Sequence, residues 1–143
     1  MDLPDVNVLV YAFRRDLEHH PACADWLRGV LDDEAPFALS PLTLSAVVRI
    51  VTNRRSFRQP SPLSEAFTFC EDLMAQPGCQ LVEPGRRHWS IFRRLCEEAN
   101  IAGGDVTDAW YAALAIEHGC DWITMDRGFA RYPGLRWRSP TRA

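Results

Sequence analysis

The chain has 143 residues, of which 47% are hydrophobic and 24% charged, with a formal net charge of −3. These ordinary globular values predict a single domain, residues 1–143, with a substantial core. No apolar run reaches the roughly 18 to 20 residues that a membrane span needs, and the first residues lack the pattern of a secretion signal. The negative charge argues against general coating of nucleic acid, although local arginines and bound cations still permit a nucleic-acid enzyme.

Cysteine usage indicates a reducing compartment. The five cysteines are odd in number and scattered, and none forms a CxxC pair. We therefore expect reduced core thiols in a cytoplasmic protein rather than disulfides or a zinc site.

Strand-like and helix-like segments alternate along the chain, which is typical of a parallel sheet covered by helices. Pro4 is awkward in the first strand because proline cannot donate a ladder hydrogen bond. We predict four or five strands with helices on both faces. In chain order the predicted elements are a strand at 3–5, a helix at 6–13, a helix from Pro21, a strand at 37–39, a helix capped by Ser40, a helix started by Ser61 and Pro62, a strand at 80–83, a helix through 92–99, a helix from about 105 to 118, and strands at 122–125 and 135–137.

The segment from Asp105 to Asp126 organises the rest of the chain. Small and apolar residues recur at helical spacing, and Gly119 is placed to end that helix. The following residues, 122–125, are bulky and partly β-branched, so they predict a buried strand. The stripe that would pack on the sheet consists of Ala109, Ala112, Ala113 and Ile116.

Three acids stand where ligand sites form in α/β sheets. Asp5 closes the first strand, Asp126 follows a later strand, and Asp108 lies in the first turn of a helix. The carboxyl ends of parallel strands meet at one edge, so we expect these carboxylates to converge. Mutually repulsive acids make sense there if Mg²⁺ or Mn²⁺ lies between them. Each has a structural alternative, namely helix capping by Asp5, helix-dipole pairing by Asp108 and a turn role for Asp126.

Polar neighbours could support these acids. Asn7 and Thr124 are placed to orient a carboxylate or a water, although Asn7 could equally turn to its own backbone. Arg54, Arg55 and Arg58 lie in a loop that we expect beside the site, where they would reach an RNA backbone.

Four segments resemble PIN-domain ribonucleases, and most closely VapC toxins of toxin–antitoxin pairs. These segments are LPDVNVLVYAF, LSAVVRIVTN, VTDAWYAALAIEHG and ITMDRGFARYPGLRW. The resemblance implies an α/β/α sandwich with a central, mostly parallel sheet of four or five strands. It also implies a Mg²⁺- or Mn²⁺-dependent endoribonuclease site in which Asp5, Asp108 and Asp126 match three of the family's acidic positions.

The family's remaining acidic position is not matched. A glutamate is usual a few residues before an arginine, but here Ala46 precedes Arg49. The number of bound metal ions is therefore open, and we expect one tight ion with a second only when RNA is present. Asp105 is the nearest spare acid, and it would either supplement the site or, as we favour, cap its helix.

The resemblance also implies partners. We expect a cognate VapB-type antitoxin that covers the acidic groove, an RNA substrate such as tRNA or rRNA, and a homodimer. Two other functions were weighed. An aspartate-phosphorylating module would usually need a lysine, which this sequence lacks, whereas a catalytically impaired PIN-like protein that acts only by binding stays open.

Overall fold

The computed structural model describes residues 1–141, which build one five-stranded sheet. All neighbouring strands are parallel, in the order β3-β2-β1-β4-β5. The sequence-predicted parallel α/β architecture, including its count of four or five strands, is confirmed. The strands are β1 (Asp2–Pro4), β2 (Phe37–Leu39), β3 (Cys79–Leu81), β4 (Asp121–Ile123) and β5 (Trp137–Arg138).

Helices cover both faces of the sheet and make it the middle of three layers. One hydrophobic cluster joins α5 and α6 to the sheet through Leu3, Ala38 and Trp122. A second joins helices α1 through α4 to the sheet by way of Phe37 and Leu39, because successive strand residues point to opposite faces. A third, smaller cluster consists of Val8, Cys23 and Ile123. The helices are α1 (Val6–Phe13), α2 (His20–Asp32), α3 (Pro41–Val51), α4 (Leu63–Met74), α5 (His88–Ala99) and α6 (Asp105–Glu117), and a 3₁₀ helix covers Arg127–Arg131.

Helix α6 is buried along most of its length. Of the predicted stripe, Ala109, Ala112 and Ala113 have no exposed surface, which allows close packing between α5 and the sheet, whereas Ile116 is half-buried. Gly119 has φ +65° just after the helix ends, in the left-handed conformation that glycine adopts without a steric penalty. The predicted role of this glycine as the helix stop is confirmed.

Pro4 lies in the central strand, and the ladders reflect its missing N–H. On one side, β1 pairs with β4 over three residues, and the next residue continues the pattern because the Asp5 N–H donates to the Ile123 carbonyl at 2.8 Å. On the other side, the registered pairing with β2 is a single position, Asp2 opposite Phe37. The ladder beside Pro4 is therefore the shorter one.

Several predicted boundaries shift. Helix α4 begins at Leu63 with Pro62 in the capping position, so the predicted start by Ser61 is wrong. The Ser61 hydroxyl instead accepts a 3.0 Å hydrogen bond from Arg14. None of the helices within residues 1–141 is long and apolar enough to cross a membrane.

Candidate active site

Asp5 is the most deeply placed acid at the carboxyl edge of the sheet, with 8% of its surface exposed. It caps α1, since its Oδ1 accepts a 2.6 Å hydrogen bond from the Val6 N–H. Its Oδ2 accepts a 2.7 Å hydrogen bond from the Thr124 hydroxyl and a longer one, 3.3 Å, from the Asn7 amide. The helix-capping alternative therefore holds for this residue.

Burial raises the pKa of Asp5 from its ordinary 3.8 to about 6. The hydrogen bonds from Thr124 and Val6 lower the pKa but do not offset burial, and the negative charges of Asp108 and Asp126 raise it further. A carboxylate held with so little compensating charge is poised to bind a cation.

Asn7 and Thr124 hold the two strand ends together, as predicted for supporting residues. Thr124 accepts a 3.0 Å hydrogen bond from the Asp126 N–H while it donates to Asp5. Asn7 accepts a 3.3 Å hydrogen bond from the Met125 N–H, and its amide also reaches Thr124 at 3.4 Å. The side chains of Asn7 and Thr124 thus fix the backbone that carries Asp126 relative to Asp5.

Asp126 and Asp108 complete the group of three acids. Asp126 follows β4 and caps the 3₁₀ helix, where its Oδ1 accepts a 2.8 Å hydrogen bond from the Gly128 N–H. Asp108 lies in the first turn of α6. Burial raises the pKa of Asp108, and the neighbouring Asp126 raises it further. Each of the three acids therefore acts electrostatically on at least one of the others.

Asp105 occupies a different position from the one predicted. It is the first residue of α6, Gly104 holds the capping position, and no side chain caps the helix. The favoured capping role is therefore wrong. The carboxylate instead lies 3.5 Å from the guanidinium of Arg131, with Asp108 on the other side of that guanidinium.

Two residues near the acids were missed by sequence reasoning. Arg131 contacts both Asp105 and Asp108, and Tyr111 lies one turn after Asp108 on α6. Burial raises the pKa of Tyr111, and the charges of Asp5 and Asp108 add to that effect. The spacing of three residues from Asp108 to Tyr111 was the available signal.

Helix α3 contributes no acid to the site. Thr43 and Arg49 both act on Tyr111, and Ala46 lies midway between them at helical spacing. The position that lacks the family's glutamate therefore faces the same side of the site as Tyr111.

The donor set suits a hard divalent cation. The converging ligands are carboxylate oxygens, which Mg²⁺ and Mn²⁺ prefer, and Asp5 is buried without a cation of its own. Within residues 1–141, however, no three histidine, cysteine or acidic side chains approach closely enough to hold an ion. The carboxylate ligands therefore suit such an ion chemically, but their side chains are spaced too widely to surround it.

The loop with Arg54, Arg55 and Arg58 does not lie beside the acids, contrary to expectation. Arg14 ends α1 and donates a 2.8 Å hydrogen bond to the Gln59 carbonyl in this loop. Since Asp5 caps the start of α1 and the eight helical residues span about 12 Å, the loop contacts the end of that helix remote from Asp5. Arg58 lines a groove of about 1240 Å³ that includes none of the site acids.

Comparison with known proteins assigns the family. The sequence model of the PIN-domain family matches residues 3–135 of this chain. Ribonuclease VapC43 of Mycobacterium tuberculosis is 42% identical over 136 residues, covering 95% of this chain and 92% of the relative. Ribonuclease VapC25 of the same organism is 40% identical over 140 residues, covering 98% and 99%.

A solved structure agrees with the fold. VapBC2 from Rickettsia felis, bound to a DNA fragment from its promoter, superposes with a TM-score of 0.69 at 15% identity, covering 96% of each chain. The chain belongs to the PIN-domain family. Its sequence relatives place it in the VapC branch of that family.

Proposed function

We propose that this protein is a Mg²⁺- or Mn²⁺-dependent endoribonuclease and acts as the toxin of a toxin–antitoxin pair. The observation that carries the proposal is that the charges of Asp108 and Asp126 act on Asp5, which is buried after β1 with its pKa raised to about 6. Relatives of about 40% identity that are named VapC ribonucleases support it.

Asp5, Asp108 and Asp126 would hold the metal, with Asp105 as an additional ligand or a charge nearby. A divalent ion supplies an activated water and neutralises charge on the phosphate oxygens. Thr124 keeps Asp5 oriented, and the three donors to the carboxylate leave one lone pair of Oδ1 for a cation. Asn7 and Thr124 keep Asp126 at a fixed distance from Asp5 through the 124–126 backbone.

The partners follow from family membership. We propose an RNA substrate, tRNA or rRNA, a VapB-type antitoxin that covers the acids, and a homodimer. The VapBC2 complex illustrates such a toxin and antitoxin pair on a similar fold. The five cysteines are free thiols, as expected in a reducing compartment, and we propose a cytoplasmic location. We also propose that residues 1–143 form one domain.

A binding-only PIN protein is the second candidate, favoured by Ala46 where an acid is usual. The buried, hydrogen-bonded environment of Asp5 argues against a binding-only function. A buried carboxylate with a raised pKa and three hydrogen-bond donors costs stability, and a protein that only binds would not need it.

The test is cleavage of total tRNA and rRNA by purified, antitoxin-free protein with Mn²⁺, with EDTA, and by Asp5→Asn. Asp121→Asn is the matched control, because Asp121 begins the strand that Asp126 follows and pairs with Arg136 away from the acids. We expect discrete fragments from wild type and Asp121→Asn with Mn²⁺, and none with EDTA or Asp5→Asn. Absence of cutting by folded wild-type protein would favour the binding-only function.

A further inference from the structure

The guanidinium of Arg131 lies on the rim of the acid group. Its Nη1 is 3.5 Å from Oδ2 of Asp105, and its Nη2 is 3.5 Å from Oδ2 of Asp108. Arg131 ends the 3₁₀ helix that Asp126 caps, so one short element carries both a site acid and this arginine. Both contacts are at the long limit for charged hydrogen bonds, which makes them easy to exchange.

The Arg131 guanidinium lies over the ring of Tyr132 and stays partly exposed. The Tyr132 ring lies 5.1 Å from the guanidinium carbon and is itself buried. The Tyr132 hydroxyl donates a 3.3 Å hydrogen bond to the Asp105 carbonyl, which ties the 3₁₀ helix to the start of α6. About a third of the Arg131 side chain is exposed, so its guanidinium can reach a molecule bound over the acids.

The site has few groups that would neutralise a phosphate, and the guanidinium of Arg131 is a positive charge beside it. With Ala46 in place of an acid, the site has fewer carboxylates to hold cations that would neutralise a phosphate. A guanidinium presents a planar fork of N–H donors that matches two phosphate oxygens as well as two carboxylates. While Asp105 and Asp108 occupy that fork, it is not available to RNA.

We propose that Arg131 is a phosphate-binding catalytic residue that Asp105 and Asp108 hold in reserve. When the negative charges of Asp105 and Asp108 are neutralised, the Arg131 guanidinium turns to the RNA backbone at the site. It then stabilises negative charge on the RNA phosphate. The inference rests on the proposed function, since it concerns the RNA bound at the same acids.

A double-mutant cycle tests the exchange without any cleavage. A fluorescein-labelled single-stranded RNA of mixed sequence is titrated, in EDTA, with wild type, Asp105→Asn, Arg131→Ala and the double variant. We expect Asp105→Asn to tighten binding about fivefold in the wild-type background, because it releases Arg131, and less than about twofold in the Arg131→Ala background. An equal gain in both backgrounds would show a general charge effect and overturn the proposal.

Cleavage kinetics with Mn²⁺ test the catalytic role. We expect Arg131→Ala to lower kcat about 100-fold with KM nearly unchanged, and Arg131→Lys to fall between that variant and wild type. Arg93→Ala is the control, because it removes an exposed arginine paired with Glu97 on α5 and should match wild type. An unchanged kcat for a folded Arg131→Ala protein overturns the role. Failure of wild type to cut would instead reject the proposed function, and the binding cycle would still decide whether Arg131 exchanges partners.

Discussion

The hydroxyl of Thr124 donates a 2.7 Å hydrogen bond to Oδ2 of Asp5, across 119 residues of sequence. It also accepts from the Asp126 N–H, so one side chain orients two of the three acids. We expect Thr124→Val to lower cleavage about 10- to 100-fold, the usual effect of losing a residue that orients a metal ligand. Thr124→Ser keeps the hydroxyl and should retain most activity, measured as kcat/KM on a defined RNA. Equal losses in both variants would point to packing rather than hydrogen bonding.

Asp5 should make the stability of the metal-free protein depend on pH. Its pKa is raised from 3.8 to about 6 in the folded state, so the folded protein binds this proton more tightly than the unfolded chain does. Burying the ionised Asp5 carboxylate lowers the free energy of unfolding. This loss is absent below pH 3.8, grows as pH rises towards 6, and is complete above that pH. It amounts to roughly 3 kcal/mol if the shift is fully developed.

Urea unfolding in EDTA at pH 4, 6 and 7.5 measures this penalty. Relative to wild type, Asp5→Asn should gain stability as pH rises, because asparagine keeps the helix cap without the charge. A difference between the two proteins that does not change with pH would contradict the expectation.

Ala46→Glu should restore a fourth acid to the site. The residue lies between Thr43 and Arg49 on the face of α3 that reaches Tyr111, and the charges of Asp5 and Asp108 act on the same tyrosine. We expect calorimetric titration of RNA-free protein with Mn²⁺ to show one tight ion for wild type and a second for Ala46→Glu. Ser45→Glu, the exposed neighbour on a different face, serves as the control and should behave as wild type. Two tight ions in the wild type would refute the expectation of a single tight site.

Gly85 and Gly29 should respond oppositely to alanine. Glu117 accepts hydrogen bonds from the Gly85 and Arg87 N–H groups at 2.7 and 2.9 Å, and a Cβ on Gly85 would lie 2.7 Å from Glu117 Oε2. We expect Gly85→Ala to cost about 1 to 3 kcal/mol by disturbing these bonds.

Gly29 lies inside α2, with no atom within 4 Å of an added Cβ. Gly29→Ala should therefore stabilise the protein by about 0.5 to 1 kcal/mol. Midpoints of thermal unfolding measured side by side would compare the two variants, and a shift in the same direction would contradict the contacts around Gly85.

The sequence predicted the elements best where local signals were strong. Strand β2 and helix α1 have the predicted bounds, because apolar runs and flanking cap residues mark their ends. Helix α4 starts later than predicted because the Ser61 hydroxyl binds Arg14 from α1, a tertiary contact that no local pattern contains.

The places of the three acids in the fold were predictable, because Asp5 and Asp126 follow strands and Asp108 lies in the first turn of a helix, while their role as metal ligands stays a prediction. The partners of Asp105 and the arginine loop were not predictable. Aspartate is a common helix cap, but Gly104 holds the capping position and Asp105 is already the first helical residue. Its partner Arg131 belongs to the 3₁₀ helix, which is distant in sequence. The position of Arg54, Arg55 and Arg58 depends on how far helices α1 and α3 extend from the acids. The spacing of residues in the sequence does not predict that distance.

The order of strands in the sheet determines when the protein becomes competent during its synthesis. Strand β1 and Asp5 leave the ribosome first, whereas β4 and Thr124, the hydroxyl donor to Asp5, follow more than a hundred residues later. A nascent chain that stops before β4 has Asp5 without its hydroxyl donor and an exposed central strand edge. Hence the hydrogen bond that orients Asp5 can form only after most of the chain has been made.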